Sequence, residues 1–76
     1  MTAALEMGRR RVLTALRKRL LDAQDQRDRA ARTGNAVAAF SFALLSEELT
    51  AIVADAERIY AEEAAIARAR SERGAS

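Results

Sequence analysis

Apolar residues in this chain recur every three or four positions along two long stretches, with one break between them. In the first stretch Val12, Leu13, Leu16, Leu20 and Ala23 keep the spacing that gathers side chains on one face of a helix. In the second, Phe42, Leu45, Leu49, Ile52, Ala56 and Ile59 alternate steps of three and four, and Ile66 follows. That alternation is the heptad signature of one helix packing on another. Val53, Tyr60 and Ala67 widen the face, while Val37, Phe40 and Leu44 point to another side of the same helix. The break is Thr33-Gly34-Asn35. Glycine suits the left-handed position that ends a helix, and asparagine suits the N-cap of the next.

The pattern predicts an all-α fold, an antiparallel two-helix hairpin that oligomerises through its helices. Residues 1–8 are expected to form an N-terminal arm, 9–32 the first helix, 33–35 the turn, 36–70 the second helix and 71–76 a flexible C-terminal tail. Gly8 and Gly74 are expected where the helices fray. The charged run after Leu21, DAQDQRDRAAR, reads as a solvated extension of the first helix, with a longer loop as the other option. Folding about Gly34 sets residues opposite when their numbers sum to about 68, so Ile52 faces Leu16 and Leu45 faces Ala23. Arg9 and Glu63 then come within about a turn of each other. They either form a partly buried ion pair that fixes register or lie at frayed, wet ends. One antiparallel partner does not cover both apolar sides of the second helix. Either a second surface meets another copy, or Phe40 folds back over the turn.

Composition narrows the chemistry. The chain has 76 residues with no Cys, His, Pro or Trp, and alanine supplies half of its 50% hydrophobic content. So short a chain with so few large apolar side chains is expected to gain stability by associating. Without Cys or His there is no thiol nucleophile, no imidazole acid-base group and no common zinc ligand set. Ser41, Ser46 and Tyr60 therefore lack an activating base, and three scattered glycines make no phosphate loop. The carboxylates Asp22, Asp25 and Asp28, and the doublets Glu47-Glu48 and Glu62-Glu63, read as solvated faces rather than acid-base or cation sites. No catalytic residue, metal site, cofactor or small-molecule substrate is expected. The start of the chain lacks the apolar core of a secretory signal. The longest apolar run, Ala36 to Leu45, falls short of the ~20 residues of a membrane span. The expected setting is the cytoplasm, without a membrane partner.

The net charge of +2 hides an asymmetry. Residues 1–35 carry nine basic and four acidic side chains, and residues 36–76 carry four and seven. A basic first helix and an acidic second helix attract each other, within one hairpin or between neighbours. Arg9, Arg10, Arg11, Arg17, Lys18 and Arg19 cluster in eleven positions and form a basic band, a candidate surface for DNA. No base-reading amide or stacking aromatic is interleaved with it, so contact with double-stranded DNA is expected at the backbone and to be salt-sensitive. An ordinary solvated face is the competing reading, and a basic helix lying on an anionic membrane is another.

Leu13, Leu16, Arg17, Leu20 and Asp25, followed by a polar connector and then Ala38, Ala39, Phe40, Ser41, Leu44 or Leu45, and Ile52, resemble the small terminase subunits of tailed phages of actinobacterial hosts. Phe40 stands where that pattern has leucine, and 76 residues leave no room for the separate helix-turn-helix domain many such subunits carry, so any DNA contact is expected from the arginine band. The resemblance implies a non-enzymatic homo-oligomeric ring in the host cell cytoplasm that recognises viral DNA and hands it to the large terminase subunit. In such a ring Phe42, Leu45, Leu49, Ile52 and Ile59 pack the hairpin, and Phe40, Leu44, Val53 and Tyr60 make intersubunit contacts. The tail over 67–76, with Arg68, Arg70 and Arg73, is expected either to dock the large subunit or to be disordered. The alternative is a protein-only module, a hairpin dimer forming a four-helix bundle with a regulatory or scaffolding role.

Overall fold

Two alanine-rich, proline-free segments form two helices in the computed structural model, which describes residues 2–75: α1 (Thr2–Arg32) and α2 (Ala36–Ala75). At ~1.5 Å per residue they are about 46 and 60 Å long, and the molecule extends 64 × 18 × 11 Å. It is an all-α hairpin. The segment expected as an arm is helical from Thr2, and the segment expected as a tail is helical to Ala75; Met1 and Ser76, at the far ends of those two segments, lie outside the described residues. Gly8 and Gly74 sit within the helices, because one exposed glycine costs only about 1 kcal/mol relative to alanine and strong helix formers surround each.

The turn is built as its three residues require. Gly34 has φ of 77°, the left-handed conformation that a Cβ disfavours. The Asn35 amide donates to the Ala30 carbonyl at 2.8 Å and the Gly34 amide to the Ala31 carbonyl at 3.2 Å, the paired bonds of a Schellman ending. The Thr33 hydroxyl donates to the Arg29 and Ala30 carbonyls, both at 3.1 Å. Asn35 Oδ1 then accepts from the Ala38 amide at 3.1 Å, capping the free N–H groups of α2.

The seam between the helices is regular. On α1 the buried and half-buried positions along the seam include Arg9, Leu13, Leu16, Leu20, Ala23, Arg27 and Ala30; on α2 they include Ala39, Phe42, Ser46, Leu49, Val53, Ala56 and Tyr60. Both sets alternate steps of three and four. The charged run of α1 thus continues as helix, with Ala23 and Ala30 turned inward, Gln24 and Arg27 half-buried, and Asp22, Asp25, Gln26, Asp28 and Arg29 in water.

This seam keeps the expected register. Its buried and half-buried rows run 9, 13, 16, 20, 23, 27, 30 on α1 and 60, 56, 53, 49, 46, 42, 39 on α2, so facing positions sum to 69, and Arg9 lies against Tyr60. Ala23 shares a hollow with Leu45, as expected. The long side chains of Arg9 and Arg17 reach about a turn further along α2, to Glu63 and Glu57.

The seam differs from the expected one in its rotation on α2. Val53, expected at an intersubunit contact, is 9% exposed inside the hairpin, and Tyr60 is half-buried beside it. Leu45, Ile52 and Ile59, expected to pack the hairpin, are 46%, 46% and 44% exposed. Ser46 explains how a polar residue came to occupy the seam. Its hydroxyl donates to the Phe42 carbonyl at 2.8 Å, so it is buried with its hydrogen bond made, in a stretch where Ala23 and Ala30 keep α1 slim.

Candidate functional surfaces

Around the seam the hairpin presents two unlike flanks. One is polar. Arg17 donates to Glu57 there at 2.7 Å, joining the helices, and Arg10 lies seven positions before Arg17 on the same row of α1. The other flank is apolar. Leu45, Ile52, Ile59 and Ile66 run down α2 one heptad apart, all 44–53% exposed. Leu5, Val12, Arg19 and Gln26 run down α1 at the same spacing, with Leu5 and Val12 exposed. Arg19, Gln26 and Leu45 line one shallow hollow over Ala23, Phe42 and Leu49. Leu5 and Val12 line another with Gly8, Arg9 and Tyr60.

The six residues of the expected basic band divide into three groups. Arg9 sits in the seam, paired with Glu63 and with its guanidinium carbon 5.4 Å from the centre of the Tyr60 ring. This is the half-buried ion pair, not a frayed end: the Arg9 side chain keeps 26% of its exposure, and attraction to the ring face adds to the pairing. Arg17 is tied to Glu57 but remains more than half exposed. Arg10, Arg11, Lys18 and Arg19 are exposed and join no ion pair among the described residues. Arg10, Arg11 and Lys18 face outward on the polar side and back of α1. Arg19 stands apart from them, on the apolar flank.

Of the expected intersubunit residues, Phe40 is 66% exposed and Leu44 is half exposed, both near the start of α2 beside exposed Val37. Phe40 does not fold back over the turn. The row from Leu45 to Ile66, expected to pack the hairpin, lies at its edge and stays about half exposed. Its seven-residue spacing was visible, but that spacing marks a row without saying which neighbour covers it.

The acidic residues are dispersed. Asp25 pairs with Arg29 at 3.1 Å, Asp28 with Arg27 at 3.3 Å and Asp55 with Arg58 at 3.2 Å, all on the surface. No grouping of three or more carboxylates placed to hold a metal ion occurs among the described residues. The stretch Ala36–Gly74 is long and apolar enough to cross a membrane by length and composition, with mean hydropathy reaching 1.6. No protein-family profile, curated protein or solved structure matches this chain.

Proposed function

We propose that this chain is a non-catalytic, self-associating helical hairpin whose α1 cations contact the phosphate backbone of double-stranded DNA, an adaptor of the small-terminase kind. The observation that carries this reading is the set Arg10, Arg11 and Lys18. They stand on outward rows at two levels a heptad apart, about 10.5 Å along the helix, and no carboxylate neutralises them among the described residues. Intramolecular pairing takes only Arg9 and Arg17 from the band. Charge alone gives affinity without sequence choice. In this reading a large terminase subunit is the second partner, and sequence-specific recognition is not a task of the hairpin. The working site is the cytoplasm. Glu47 and Glu48 lie in the apolar half of α2, and a charged side chain at the centre of a membrane helix costs on the order of 2.5–3.5 kcal/mol, which argues against a span there.

The apolar row on α2 supports a second reading, a protein-only four-helix module. Titration of duplex DNA with the protein at several salt concentrations separates the two. The adaptor predicts binding that weakens steeply with salt, and a variant carrying Arg11→Glu and Lys18→Glu that binds far less. Affinity unchanged by that double reversal removes DNA from the function and leaves the protein-only module.

A further inference from the structure

The apolar flank has no cover within the chain. A compact monomer of 8.3 kDa exposes about 4,600 Å², whereas this hairpin exposes 6120 Å². Part of that excess is elongation, since the radius of gyration is 17.9 Å where about 11 Å suits a compact chain of this length. What the exposed surface carries is apolar: Leu45, Ile52, Ile59 and Ile66 form a strip about 31 Å long, continued across the seam by Leu5 and Val12. Exposed apolar strips of this length mark association surfaces.

We propose that the occupant of this flank is a second copy of the chain, seated face to face about a two-fold axis parallel to the helices, so that α1 of each copy lies on α2 of the other. The inference rests on the reading that the hairpin self-associates, and it adds which face is used and how the copies are arranged. Two closed arrangements bring the apolar flanks together. With the axis perpendicular to the helices, α1 lies on α1 and α2 on α2, which sets basic residues 9–19 against themselves and the acidic row Glu48, Asp55 and Glu62 against itself. With the axis parallel to the helices, each α1 runs antiparallel to the α2 it covers, at the same levels as inside one hairpin. Basic residues 9–19 then stand beside residues 50–60, where Asp55 faces outward, with exposed Glu62 just beyond.

In that arrangement Arg19 changes meaning. It is the cation within the apolar flank, in one hollow with Leu45 and Leu49, and with the same offset that joins Arg17 to Glu57 inside one hairpin it meets Asp55 of the second copy, drawing that carboxylate from its surface pair with Arg58. Gly8 and Ala15 are next outward on α1, and their small size lets the facing α2 approach closely. Arg10 and Arg17 remain on the opposite flank.

Sedimentation velocity on the wild-type chain and four variants tests this, with circular dichroism as the check on helix content. The expected wild type is a dimer, or a larger assembly built from dimers. Ile52→Glu and Ile59→Glu, each at an exposed position of the hairpin, are expected to give helical monomers. Arg19→Asp is expected to weaken the dimer about tenfold over its two symmetric pairs, and the swapped chain carrying both Arg19→Asp and Asp55→Arg is expected to recover that loss. Assembly that survives both Ile→Glu changes overturns this face while leaving self-association in place. Arg19→Asp that tightens the dimer overturns the parallel axis in favour of α1 on α1. A wild type monomeric at every concentration overturns self-association itself.

Discussion

Arg17 and Glu57 meet across the hairpin at 2.7 Å, although they are forty positions apart and each side chain is about half exposed. The pair, with Arg9 and Glu63 two turns away, reaches about a turn beyond the facing positions of the seam. Exposure limits its strength. A double-mutant cycle on Arg17→Ala and Glu57→Ala is expected to return a coupling of about 0.2–1 kcal/mol at low salt, fading by ~1 M salt as the charges are screened. A coupling well above that range, or one indifferent to salt, contradicts a pair open to solvent.

Gly34 and Gly8 are expected to respond in opposite directions to the same substitution. At Gly34, φ of 77° makes an added Cβ unfavourable, so Gly34→Ala should cost about 1–2 kcal/mol in thermal unfolding. Gly8 lies inside α1 with open space where a Cβ would stand, so Gly8→Ala should add about 0.5–1 kcal/mol. No change at Gly8 is the result that a loose arm over residues 1–8 gives.

Asn35 caps α2 through one side-chain oxygen. Asn35→Ala should therefore lower stability by about 1 kcal/mol, while Asn35→Asp keeps the acceptor and adds a charge suited to a helix N-terminus. Equal losses in both variants, measured by denaturant unfolding, rule out capping as the source of the effect.

The turn was legible in the sequence because its causes are local: Gly34 and Asn35 act through backbone geometry and a bond three residues away. Helix ends were less so. Thr2 to Gly8 continues α1 alongside α2, where Leu5 and Glu6 share a hollow with Ala64, Ala67 and Ser71, a neighbour that spacing within one segment does not reveal. The seam of α2 shows the same limit in another form. Its apolar face is three rows wide, and α1 covers two of them. Periodicity marks all three alike, and Ser46 argued against the pair of rows actually buried until its bond to the Phe42 carbonyl is seen. The basic band was legible as a cluster but not as a surface. Adjacent arginines lie about 100° apart on a helix, so Arg9, Arg17 and Arg19 point to the seam, the polar flank and the apolar flank in turn.

Neighbouring Ile52 and Val53 give the sharpest test of which rows meet. Val53 is in the seam and Ile52 on the open flank, so their truncations act on different equilibria. Val53→Ala removes buried methyl groups and should destabilise the hairpin by about 2 kcal/mol, lowering the urea midpoint at every protein concentration. Ile52→Ala should cost under about 1 kcal/mol in dilute solution, where the flank faces water in both variant and wild type. Its effect should grow with concentration, because the lost surface matters only where copies associate. Equal, concentration-independent losses at both positions require Ile52 to lie in the seam, and the rotation of α2 described above is then wrong.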